Sequence, residues 1–183
     1  NQVTSYIRSL IRKGTLEIGA PVKEAVLSEQ LGISRAPIRE ALQVLVQEGL
    51  ITSEPQKGKH VRQMTGKEIY DSYVVAGILE GAGVAESLPL WTEANMETFR
   101  SVVRQMEGKI SYATKLDELA EIDELFHATL FMACDNTRLV EMARTSCATI
   151  SKYLYYQHWI TMFTPREYAD RHHAVAEAVY SRD

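Results

Sequence analysis

Between Ile33 and Arg62 the apolar residues change period, and that change dictates the order of elements. Ile38, Ala41, Leu42 and Leu45 fall at i, i+3, i+4 and i+7, the stripe of a helix with one buried face, while Arg35, Arg39 and Gln43 share a different face. Ser34 stands where an N-cap is needed, Pro37 is tolerated in the first turn, and Gly49 stops the helix. Leu50-Ile51-Thr52-Ser53 and His60-Val61-Arg62 then read as two short strands joined through EPQKGK, whose Pro55 and Gly58 supply turn geometry. Upstream, Ile7, Leu10 and Ile11 mark a first helix over 5–13 that Gly14 ends, and Lys23 to Leu31 supports a second that Gly32 closes. Helix, helix, tight turn, helix, hairpin is the order of a winged helix-turn-helix, whose third helix enters a major groove while the hairpin grips the flanking backbone.

Charge divides the chain at the same place. Residues 1–63 carry nine Lys/Arg against six acids, a net +3, within a chain whose total is −4. A basic segment joined to an acidic one suggests that the first alone meets a polyanion. Arg35, Arg39 and the hairpin-tip run Lys57-Gly58-Lys59 are the candidate contacts, since a guanidinium fork reaches guanine O6 and N7 or straddles a phosphate, and Gly58 allows close approach. An i, i+4 arginine pair is also what an ordinary solvated helix face carries. It is the convergence of cap, arginines and hairpin that favours DNA.

From residue 64 to 183 no strand pattern occurs. Thr65-Gly66-Lys67-Glu68 is a capping box followed by a stripe of Ile69, Tyr70, Tyr73, Val74, Gly77, Ile78 and Gly81. Thr92 opens a helix carrying Met96, Phe99, Val103, Met106 and Ile110; further helices are expected over 116–133 and 136–158, and Thr164-Pro165-Arg166-Glu167 caps a fifth. This mostly α chain is therefore a winged head over 1–63 followed by an all-helical antiparallel bundle over 64–183. With 45% hydrophobic residues it has enough apolar material for a core without disulfides, and Cys134 and Cys147 read as small core residues of a reducing compartment. No run approaches the about eighteen apolar residues of a membrane span, and residues 1–20 lack a signal-peptide layout, so a soluble cytoplasmic protein with no membrane partner is expected.

Asp123 and His127 sit at i, i+4 beside Leu116, Leu119, Phe126 and Leu130, and His172 shares a stripe with Tyr168, Val175 and Val179. A carboxylate and imidazoles on apolar stripes need partners, which either a divalent metal or an internal hydrogen bond supplies. His173, beside the stripe, is an alternative ligand or a surface residue, and Tyr153, Tyr155, Tyr156 and Trp159 read as core or interface.

LGISRAPIREALQVLVQEGLI, followed by SEPQKGKHV, closely resembles the DNA-binding domain of the GntR family of bacterial transcriptional regulators, and implies that Ser34, Arg35, Ala36, Arg39 and the wing tip Lys57, Gly58 and Lys59 touch operator DNA. Ala25 departs from the family pattern, where some members have a contacting arginine. IDELFHATLFMACDNTRLVEM and RHHAVAEAVYSRD resemble the FCD ligand-binding domain of the FadR-like branch. That resemblance implies a metal held by Asp123, His127 and His172, with zinc, nickel, manganese or iron all suited to such ligands, and a small carboxylate effector beside it. A fourth histidine ligand is expected in a further helix about two dozen residues past His172; residue 183 is reached first, so that last helix is expected to be missing. Ala76 stands where many relatives have an arginine, four residues before the glutamate matching Glu80. The implied protein is a homodimeric regulator, a repressor rather than an enzyme, whose effector changes its affinity for double-stranded DNA. A metal-dependent hydrolase domain on a DNA-binding head, or a winged-helix protein without effector, are the alternatives.

Overall fold

The computed structural model describes residues 2–146 and 148–182 and divides into two compact units, Asn1–Ser72 with Cys147–Gln157, and Tyr73–Ser146 with His158–Asp183. Cys147, expected in the core, lies outside the described residues; Cys134 is half-buried, not core, with its Sγ 3.6 Å from a Glu86 carboxylate oxygen.

In the first unit α1 (Gln2–Arg12), α2 (Glu24–Leu31) and α3 (Arg35–Gln47) precede β1 (Ile51–Glu54) and β2 (Gly58–Val61), which pair antiparallel with Ile51 opposite Val61. Val22 and Gly19 donate to the carbonyls of Lys59 and Val61, so 19–22 lies along the outer edge of β2. The predicted stripe is the core: Ile38, Ala41, Leu42 and Leu45 are buried with Ile7, Ile11, Leu27, Leu50, Ile51 and Val61. Ser34 occupies the N-cap of α3 in extended backbone, but its hydroxyl makes no cap bond, so the helix starts without the expected side-chain partner.

The second unit is helical. The helix α4 (Gly66–Ser87), whose first two turns belong to the first unit, opens on the expected box: the Thr65 amide donates to Glu68 and the Glu68 amide to Thr65 Oγ1. Then come α5 (Glu93–Ile110), α6 (Ala120–Leu130), α7 (Thr137–Ser146), α8 (Tyr156–Met162) and α9 (Pro165–Ser181). Thr92 and Thr164 form reciprocal capping boxes with Asn95 and Glu167. Phe99 lies at the centre of the core, its ring 5.4 Å from both Trp91 and Phe126.

Three expectations need correcting. The helix expected over 136–158 is interrupted: α7 ends at Ser146, a π-helical turn spans Ile150–Leu154, and α8 starts at Tyr156. The helix expected over 116–133 begins as a 3-10 turn, Leu116–Leu119. Gly66–Leu90, with mean hydropathy 1.2, is long and apolar enough to cross a membrane by length and composition, contrary to the reading that no run approached that length; only 22% of that stretch is buried. The valines, leucines, isoleucine and alanines from Val74 onward raise the average there, with Glu80 inside the same stretch.

Candidate DNA-binding head and metal centre

On the head, Ser34, Arg35, Ala36 and Arg39 are exposed at the N-terminal end of α3, because the apolar stripe turns the opposite face inward. Lys57 and Gly58 are exposed at the hairpin tip, where Gly58 takes a positive φ of 86° that only glycine adopts freely. Lys59 is half-buried, not a free tip charge: its Nζ lies 3.1 Å from Glu24 Oε1. The other oxygen of Glu24 accepts from Arg39 at 3.3 Å, so one carboxylate ties the recognition helix to the wing. Sequence reasoning passed over Glu24, since nothing in local spacing links residues 15 and 35 positions apart. The Lys59 bond, helped by Arg39 and opposed by burial, holds the Glu24 carboxyl below its ordinary range.

In the helical unit Asp123 and His127 of α6 meet His172 of α9, and one donor atom from each lies within 4.8 Å of the others. Asp123 Oδ1 is 3.1 Å from His172 Nε2 and 3.8 Å from His127 Nε2. The other nitrogen of His172 is 2.8 Å from the Tyr168 carbonyl, and the two rings stack at 3.9 Å. That carbonyl can only accept, so Nδ1 carries hydrogen and a neutral His172 aims its Nε2 lone pair at a carboxylate. Two lone pairs in that position repel unless a proton or a cation stands between them. His127 Nδ1 is buried without a hydrogen-bond partner, 3.6 Å from Glu80. This donor set, one carboxylate oxygen and two imidazoles of which His172 is oriented by a backbone carbonyl, fits a divalent transition metal. Burial acts to raise the Asp123 carboxyl; the His172 bond and the neighbouring imidazoles outweigh it and hold it below its usual value. Burial, with Asp123 alongside, pushes the Tyr168 hydroxyl up. His173 faces away from this cluster, with Nε2 3.3 Å from Glu107.

Residues 1–61 match the model of the gntR family of bacterial regulatory proteins, and residues 71–183, more than half the chain, match the FCD domain. The chain belongs to the GntR family, in its FCD-domain branch. It is similar to the Bacillus subtilis HTH-type transcriptional regulator YdhC (25% identical over 75% of this chain and 62% of that protein). It is also similar to a probable D-xylose utilization operon transcriptional repressor of Paenarthrobacter nicotinovorans (31% identical over 76% of this chain and 61% of that protein). The chain thus spans about three fifths of the length of these two relatives. The fold is that of Escherichia coli McbR/YncC, with a TM-score of 0.71 and 21% identity over 100% of this chain and 86% of that one. As a GntR-family chain it carries its winged head and its helical unit in the order that the two family matches give.

Proposed function

We propose that this chain is a DNA-binding transcriptional regulator, acting as a homodimeric repressor whose operator affinity is set by a small carboxylate bound beside a metal in the helical unit. One observation carries the DNA reading: Arg35 and Arg39 project from the α3 face opposite the buried stripe, with no role in the head's core. Exposed guanidiniums at the start of a recognition helix, with Lys57 at a hairpin tip, are the chemistry that reads base edges and clamps phosphates. Ser34, Ala36, Gly58 and Lys59 complete the surface that duplex DNA would meet.

A single head offers few phosphate contacts, so two copies on a palindromic site are favoured. The outer face of α4 supports self-association: Val74, Gly77, Ile78, Gly81, Ala82 and Ala85 are exposed without a charge among them. Uncovered apolar stripes of that length are uncommon on monomers. Asp123, His127 and His172 would hold the metal, which when bound supplies a positive centre for an anionic effector. Tyr168 orients His172 through its carbonyl, and the Phe126 ring lies 4.9 Å from the His172 ring. The repressor reading takes support from the name of the xylose-operon relative.

Selection of bound duplexes from a random library by the full chain, followed by titration of the enriched site, tests this. Arg35→Ala and Arg39→Ala should each weaken that site by about 1–3 kcal/mol where they read bases. Unchanged affinity in both variants would remove α3 from the interface. Added nickel or zinc should raise the wild-type melting temperature and leave Asp123→Ala unmoved.

A further inference from the structure

The head is completed by a segment nearly one hundred residues away in the chain. Leu154, 4% exposed, is buried in the same core as Ile7, Ile11, Leu42 and Leu45, with Tyr153 and Tyr155 packed at its margin. The polar contacts of this strap go to the ends of the head's elements. Thr149 Oγ1 donates to the carbonyl of Glu48, the residue that caps α3, at 3.1 Å. Gln157 Nε2 donates to the carbonyl of Arg12, the last residue of α1, at 2.9 Å, and the Arg12 guanidinium lies 4.6 Å over the Tyr156 ring. The Tyr155 hydroxyl accepts from the Met64 amide and donates to the Met64 carbonyl, both at 3.0 Å. Met64 is three residues past β2, where the wing leaves for α4, so a single phenol satisfies both main-chain groups of Met64 at the wing's exit.

We propose that residues 148–157 are the route by which the state of the helical unit reaches the DNA-binding head, with Tyr155 as the positioning residue that sets the base of the wing. The regulatory half of this rests on the function proposed above; the positioning half stands without it. Three features argue for a coupling role beyond simple cohesion. The strap holds the carbonyl ends of α1 and α3 and the wing exit together, so displacing it moves the elements that face DNA relative to one another. Its backbone is π-helical, with the Tyr155 amide donating to the Ile150 carbonyl at 2.9 Å. That is a rare form of helix found mostly at functional positions, and one whose register has a nearby alternative in the ordinary α-helix. Finally, the chain on either side of it, α7 and the part of α8 from His158 onward, belongs to the other compact unit. A shift of those helices is therefore delivered covalently to a segment bonded to the head.

Hydrogen exchange on the full chain tests this without knowledge of an effector. Tyr155→Phe keeps the ring and removes both bonds, and exchange at residues 62–64 should accelerate about tenfold with α1 and α3 left protected. Leu154→Ala serves as the cohesion control, expected to raise exchange across α1 and α3 as well. Asp123→Asn, in the helical unit, should alter exchange at 62–64 when Tyr155 is present and have no further effect in the Tyr155→Phe background. Unchanged exchange at 62–64 in Tyr155→Phe overturns the positioning role. An Asp123→Asn effect that is equal in both backgrounds, zero included, overturns the coupling. Failure of the wild-type chain to select any duplex would sink the proposed function and leave these exchange rates interpretable.

Discussion

The two oxygens of Glu24 reach Lys59 at 3.1 Å and Arg39 at 3.3 Å, so the carboxylate links α3 to the wing and, in the proposed DNA complex, competes with phosphate for these cations. Two opposite effects follow from replacing it. Glu24→Gln loses the ion pairs, an effect of about 0.5–1 kcal/mol for a half-buried, solvent-screened cluster. Because its native pKa lies below the unfolded value of about 4.3, that stability is present above the ordinary glutamate range and is lost as pH falls through the native value. Acid titrations of unfolding free energy should therefore be less steep for Glu24→Gln than for wild type below about pH 5. The same variant frees two cations, so binding to non-specific duplex should tighten and its salt slope steepen, as fluorescence anisotropy at several salt concentrations would show. Equal slopes would mean that Arg39 and Lys59 do not meet phosphate. Spacing marked Arg39 and Lys59 as candidates, yet their common partner was invisible, because it sits on a different helix and becomes a neighbour only when α2, α3 and the hairpin fold together.

At the scale of the element, α4 shows how a stripe can be read correctly and placed on the wrong side. Periodicity puts Tyr70, Tyr73, Val74, Gly77, Ile78 and Gly81 along the helix, but the side turned into the unit carries Ala76, Gly83 and Ser87. Gly83 is required there: a Cβ would stand 2.4 Å from the Phe131 ring, which is itself buried. Alanine inside a helix ordinarily gains up to about 1 kcal/mol over glycine. Here overpacking should reverse the sign, and Gly83→Ala should destabilise the helical unit by about 1–3 kcal/mol in denaturant melts. A stabilised Gly83→Ala would show that Phe131 moves freely. For the outer face, Ile78→Lys should shift the full chain from dimer to monomer in sedimentation velocity at micromolar concentration. A wild-type chain that sediments as a monomer and binds neutral lipid vesicles through this helix would replace self-association with a membrane.

For the whole molecule, the consequence of the strap is that stability of the head depends on a residue far outside it in sequence. Leu154→Ala should destabilise the first unit by about 2–4 kcal/mol, read from exchange protection in α1 and α3, with α5 and α6 unaffected in the same experiment. A fragment ending at residue 72 should accordingly be less stable than the same unit in the intact chain. Were the fragment equally stable, the socket for Leu154 would close without it.

Local pattern by itself determined the helices that bury one clear stripe, the capping boxes at Thr65 and Thr164, the short hairpin and the family, because each is written in residues within a few turns of one another. It also singled out Asp123, His127 and His172 as candidates, since i, i+4 spacing and a shared apolar face survive in any packing of those helices. Tertiary structure alone decided that one of these imidazoles is turned by a backbone carbonyl, that Glu24 joins Arg39 to Lys59, that α4 shows its apolar stripe to the outside, and that a π-helical turn from the far part of the chain completes the head. The reason is physical: these depend on which surfaces meet across long loops, and a one-dimensional period records that a face is apolar without recording what covers it.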